Sequence, residues 1–206
     1  MSGGESGRIA LRACLVVVLM SALTYTCGPG LLSRALPLLE YELRVLDGVC
    51  HDHRLRVATA GADTVVRVDA RVRPAFVLAG RVFEVDEKST ASVTMLAGHA
   101  YQPLVLAVAL AFAWPAPNRR MRAARTLLAL VLALFIAAVD LPVVLAAELW
   151  EILRDAAVPG EQSIIGAWKS FLESGGRLCL GIAAGAIAVS AVRAPVPRVR
   201  VHPCHG

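Results

Sequence analysis

The chain lacks the motifs by which common enzymes are read. It has no Gly-x-Ser-x-Gly, no Walker loop and no His-Glu-x-x-His, so the usual hydrolase and nucleotide signatures are absent. Its five cysteines (Cys14, Cys27, Cys50, Cys179 and Cys204) form no Cys-x-x-Cys pair, which removes thioredoxin-type and zinc-ribbon spacing. Charge is scarce as well: 18% of the 206 residues are charged, against 57% hydrophobic, an apolar excess for a soluble domain. The net charge of +5 does not gather in one patch. Arg8 and Arg12, then Arg119, Arg120, Arg122 and Arg125, then Arg193, Arg198 and Arg200 each flank an apolar run. That is the positive-inside pattern of a membrane protein, and no nucleic-acid partner is needed to explain it.

What is present is an apolar hairpin. The stretch YQPLVLAVALAFAW ends at Trp114, and TLLALVLALFIAAVDLPVVLAA starts at Thr126 and carries one charge, Asp140. Each is close to the ~20 residues that cross ~30 Å of hydrocarbon as helix. Between them PAPNRRMRAAR holds four arginines and no acid, which marks that turn as cytoplasmic.

The expected fold class is membrane α+β. It has four transmembrane helices, a small extracytoplasmic antiparallel β domain and an amphipathic interfacial helix. Residues 8–27 form the first span, retained with its N-terminus inside, and Gly28-Pro29-Gly30 breaks the helix after it. Residues 28–98 form the outer domain. It opens with Leu32, Leu36, Leu39, Leu43 and Leu46 at three- and four-residue spacing, an amphipathic helix that Pro37 bends or begins. Val66, Val68, Ala70 and Val72 then alternate with Arg67, Asp69, Arg71 and Arg73, the period of a half-buried strand. Residues 54–59 and 81–86 are shorter strands of the same kind, giving three antiparallel strands with one polar face. Nine basic and nine acidic residues between Gly28 and Gly98 give no basic excess to hold this domain inside.

Residues 99–149 are the hairpin of spans two and three, with the basic cytoplasmic loop at 115–125. Residues 150–175 lie at the interface, where Ile164, Ile165, Trp168, Phe171 and Leu172 make one helical face. Trp150 and Trp168 mark the outer boundary and Trp114 the inner one. Residues 176–193 are the fourth span, full in length only if its helix begins near Phe171, and 194–206 are a cytoplasmic tail. The chain is then multi-pass in a bacterial inner membrane with both termini cytoplasmic.

Few residues carry chemistry. Asp140, two-thirds along the third span, must be neutral, hydrated or paired, because a mid-bilayer charge costs at least ~2.5–3.5 kcal/mol. It reads as an interaction site or a helix-packing hydrogen bond. Glu148 and Arg177, near the outer ends of spans three and four, either pair or snorkel to water. Gly181 and Gly185 form a small-xxx-small face for close helix contact, internal or with a partner. Cys179 with Arg177 and His99 is the one set from which a membrane cysteine peptidase is conceivable. In Cys50-His51-Asp52-His53, either Cys50 with Asp52 or His51 with His53 share a face in an extended segment, too few for a metal site. No metal or other cofactor is expected. Cys27 and Cys50 lie on the same outer side, where a disulfide is permitted.

The layout has a counterpart. GPGLL after the first span, LRVLDG closing the leucine-rich helix, and the hairpin entry from Gly98 to Pro103 within GHAYQPLVLAVALAFAW together resemble the integral membrane proteins encoded beside exosortases, the exosortase H-associated type. The resemblance implies a non-catalytic accessory role in sorting tagged proteins to the cell envelope. The expected partners are the lipid bilayer and a larger polytopic membrane protein, an exosortase in that case, docked through Asp140 and the Gly181/Gly185 face. The rival readings are a membrane-embedded cysteine peptidase or transferase using Cys179, and a small subunit of an envelope transporter.

Overall fold

The computed structural model describes residues 3–61, 63–78, 81–86, 88–157 and 164–192. The protein is mostly helical with a small antiparallel sheet. Helix α1 (Gly3–Leu46) leads into β1 (Cys50–Ala60), β2 (Asp63–Val72), β3 (Ala75–Leu78), β4 (Arg81–Glu84) and β5 (Thr90–Leu96). Helices α2 (Ala97–Ala113), α3 (Arg119–Ala157), α4 (Ile164–Phe171) and α5 (Arg177–Ala191) complete it. Three helical runs are long and apolar enough to cross a membrane: Ser6–Leu46, Arg119–Asp155 and Ile164–Ala191. Ala97–Ala113 is a shorter apolar helix.

The expected break at Gly28-Pro29-Gly30 does not occur. α1 runs through both Pro29 and Pro37 as one helix, so the first span and the amphipathic segment are continuous. A proline inside a helix costs ~3 kcal/mol. Burying Leu32, Leu39 and Leu43 against the sheet offsets that, at ~1.5–3 kcal/mol per side chain. Next to Pro29, the Tyr101 phenol donates to the Gly28 carbonyl at 2.6 Å and ties α1 to α2. Gly28 is the residue that admits this ring, since a Cβ there would sit 2.9 Å from it. The predicted leucine stripe faces the core except Leu46, which is exposed.

The alternation around residue 68 is realised in β2, which buries Val66, Val68, Ala70 and Val72 and turns Arg67, Asp69 and Arg71 outward. β2 is the central strand of the order β1-β2-β5, with Leu55 opposite Val68 and Val66 opposite Met95. Residues 81–86 are not the third strand. β4 pairs with β3 in a separate hairpin, where Phe76 and Phe83 stack at 5.7 Å. The third strand is β5, whose Ala91, Val93 and Met95 point inward between Thr and Ser. β5 passes into α2 without a loop, since Leu96 is followed directly by helical Ala97.

The sheet core is continuous with the helices. Val66, Val68 and Met95 belong to one buried cluster with Leu43 of α1 and with Leu141, Val144, Leu145 and Leu149 of α3. Beneath it the helices meet through alanine: Ala107 and Ala111 of α2, Ala129 and Ala133 of α3, and Ala184 and Ala188 of α5.

Two connections are tighter than expected. The basic loop 115–125 shrinks to five residues between α2 and α3, and the arginines occupy the first turns of α3. Asn118 caps that helix, its side-chain oxygen accepting from the Met121 amide at 2.7 Å. Likewise α3 does not stop at residue 149 but continues to Ala157. From α4 to α5 the helix goes on through a wide turn (Leu172–Gly176) and bends at Gly175, whose φ of 106° disfavours any side chain.

Candidate functional site

Two of the polar residues singled out in the sequence, Asp140 and Arg177, meet where the sheet sits on the helices. Asp140 lies 14 residues after Thr126, about 21 Å along a straight helix, and the apolar run continues past it from Leu141 to Ala147. It therefore stands inside that run, beside Leu141, where the sheet core begins. Its partner is Arg177 at the start of α5, with Nε 2.9 Å from Oδ2. Both side chains are at most 5% exposed. The guanidinium also reaches Met95 of β5, Nη2 to Sδ 4.0 Å, so one ion pair ties α3, α5 and the sheet together. Among the described residues Oδ1 of Asp140 has no hydrogen-bond partner. The pair is a single-contact bridge whose worth lies in fixing register more than in stability, because desolvation offsets much of the attraction.

Glu148 and Arg177 do not pair. Glu148 instead receives Lys169 of α4 at 2.9 Å, and Glu151 binds the same ammonium. This staples the short amphipathic helix back onto α3.

Gly181 and Gly185 face α2. A Cβ on Gly181 would lie 2.9 Å from the Pro103 backbone, and one on Gly185 would lie 3.0 Å from the Ala107 carbonyl. This surface is therefore occupied inside the chain by α2, and Asp140 is likewise enclosed. A Gly181→Val substitution should push α5 off α2 and cost about 1–3 kcal/mol. Thermal unfolding in mild detergent measures this, with a change at exposed Ala186, Ala186→Ser, as reference.

The trio around Cys179 is not assembled. Arg177 is committed to Asp140, Cys179 is exposed on α5, and among the described residues no hydrogen bond joins it to His99.

A second buried pair lies at the C-terminal end of α1. Asp47 follows the helix and is fully enclosed with His53 of β1, Nε2 to Oδ2 2.9 Å. Its other oxygen accepts from the Val49 and Cys50 amides at 2.9 and 3.1 Å. Burial alone pushes this carboxyl's pKa up, yet the hydrogen bonds from His53, Val49 and Cys50 outweigh it and the pKa is lowered. The sequence pointed at Cys50-His51-Asp52-His53 but not at this grouping. Neither expected pair forms, because the ladder shifts register between His51 and Arg54, and Asp52 adopts a φ of 51°. That bulge turns Cys50 and His53 to the same inner side. Among the described residues no group of three or more His, Cys, Asp or Glu side chains is placed to hold a metal ion.

Cys50 is 1% exposed and free, and Cys27 is free and exposed, so they form no disulfide. Burial, reinforced by the Asp47 charge, pushes the Cys50 thiol up to about 12. It should therefore resist maleimide whichever side of a membrane it occupies. Cys204 lies outside the described residues.

At the opposite end, Arg125 is buried and ties two helix ends together. It donates to the Val192 carbonyl at 3.0 Å and to the Pro115 carbonyl at 2.8 Å. Arg122 lies over the Phe112 ring at 5.6 Å. Arg119 and Arg120 are exposed. Nothing in the spacing distinguished these roles; they become visible only when α2 and α5 end side by side.

Comparison with known proteins gives no relative: no family model, no curated protein and no solved structure matches the chain.

Proposed function

We propose that the chain is a non-catalytic accessory subunit of a larger polytopic membrane protein. In this reading it sits in a bacterial inner membrane with four spans, both termini cytoplasmic and the sheet outside. An exosortase-type sorting system is the partner suggested by GPGLL, LRVLDG and the Gly98-to-Pro103 entry. Two of these segments touch, through Tyr101 and Gly28, and the third supplies Asp47. The basic turns of α3 and Arg8 and Arg12 of α1 support the orientation.

The observation that carries the proposal is the outer half of α1. Leu38, Tyr41 and Val45 are 55%, 65% and 69% exposed, on the side away from Leu32, Leu39 and Leu43. Counted from Gly28, these residues project up to about 25 Å beyond the first span. Lipid tails do not cover side chains at that height, whereas a second protein does. The docking surface thus moves from Asp140, Gly181 and Gly185 to this stripe. In co-purification from native membranes in mild detergent, Tyr41→Glu should lose the partner while the Asp140→Leu/Arg177→Leu double variant keeps it. A partner retained by Tyr41→Glu removes the stripe from the proposal.

The orientation has its own test. With Cys14, Cys27, Cys179 and Cys204 changed to serine, a Lys88→Cys reporter ahead of β5 should react with an impermeant maleimide in intact cells. Labelling only after lysis would place the sheet inside.

A further inference from the structure

A groove of about 570 Å³ opens between α1, the hairpin end of the sheet, the start of α2 and α5. Its volume falls within the range of small-ligand sites and is too small for a folded domain. It is two-sided in chemistry. Val105 and Leu106 of α2 and Leu178 of α5 line its apolar part, while Asp63, His99 and Gln102 line the other. It lies at the level where Tyr101 meets Gly28, which in the four-span reading is the outer headgroup layer.

Charge narrows the occupant. Among the described residues Asp63 is the only acidic residue lining the groove, neither lysine nor arginine lines it, and Asp63 makes no ion pair. An anionic head is thereby disfavoured and an ammonium group favoured. The first turn of α2, through Ala97, Gly98 and His99, lines the same groove and is not capped by any side chain. Its amides suit a phosphate ester placed beside that ammonium.

We propose that the groove binds a zwitterionic phospholipid with a primary-amine head. Its acyl chain lies along Val105, Leu106 and Leu178, its phosphate over the first turn of α2 and its ammonium at Asp63. This rests on the membrane reading above but not on the accessory role, because it is read on the isolated chain.

Gly98 supplies a probe. It lines the groove and a Cβ there meets nothing within 4 Å, so Gly98→Trp places a bulky side chain at the groove with no clash at its Cβ. The full chain, purified in mild detergent, is mixed with phosphatidylethanolamine or phosphatidylglycerol, and bound lipid is counted by native mass spectrometry. The wild type should retain phosphatidylethanolamine roughly tenfold more strongly than phosphatidylglycerol. Asp63→Asn should erase that preference, and Gly98→Trp should lose the bound lipid. Equal retention of the two lipids by the wild type, or undiminished phosphatidylethanolamine on Gly98→Trp, overturns the proposal. Release of the chain from cells without detergent would instead reject the membrane reading itself. Loss of a partner protein with lipid retention intact counts against the accessory role alone.

Discussion

Asp140→Leu is expected to destabilise the folded chain by about 3–5 kcal/mol, and Arg177→Leu by a similar amount. Each leaves the other charge enclosed where α3, α5 and β5 meet, without its counter-charge. The Asp140–Arg177 contact is a single 2.9 Å bridge, with Oδ1 of the carboxylate unpartnered. The attraction therefore recovers little beyond the desolvation it must offset. For that reason the Asp140→Leu/Arg177→Leu double variant should regain most of the lost stability, because it buries neither charge. Denaturant unfolding of the four proteins in the same micelle gives the cycle. A double variant as unstable as the sum of the single ones would show that the two residues act separately. A Leu at 140 lowering the level of protein in the membrane is thus an effect on folding and does not by itself report a lost partner.

Acid should undo the second pair. The Asp47 carboxyl has a lowered pKa in the folded protein against an ordinary value of 3.8. A carboxylate of that kind contributes stability that is complete above its unfolded value and disappears as pH falls through the folded one. The wild type is therefore expected to lose stability as pH drops below 3.8, while Asp47→Asn starts lower and shows a flatter profile through the same window. At neutral pH Asp47→Ala should cost about 3 kcal/mol or more, since it strands His53 together with the Val49 and Cys50 amides. Unfolding of the full chain in micelles on either side of pH 3.8 measures both effects. An Asp47→Asn profile as steep as that of the wild type would show that another group controls the acid limb.

The parts of the fold legible in the sequence were those written as a period. The Val66-to-Val72 alternation became the central strand, and the leucine stripe from Leu32 to Leu43 became the buried side of α1. β5 was equally periodic, but its outward residues are Thr90, Ser92 and Thr94, so no charge contrast announced it. The continuity of α1 was hidden because local propensity at Gly-Pro-Gly argues for a break. The opposing term, the burial of Leu32, Leu39 and Leu43 against the sheet, is a set of tertiary contacts. The site divides in the same way. Asp140 and Arg177 are each conspicuous as charges beside apolar runs, yet the spacing offers Arg177 either Glu148 or water and does not point to Asp140. Helical register decides that choice, and α4 brings Lys169 to Glu148 first. Asp47 with His53 was missed because it depends on a bulge at Asp52, for which the sequence carries no local glycine or proline signal.

The most direct test of the accessory reading is a photo-crosslinking amino acid placed at Tyr41 in the native membrane, with Ala58 on the sheet as the comparison site. The expected result is a single crosslinked band, strong from position 41 and weak from 58, whose partner is a larger polytopic membrane protein. Crosslinks from position 41 that contain only lipid, or only a second copy of this chain, would contradict it.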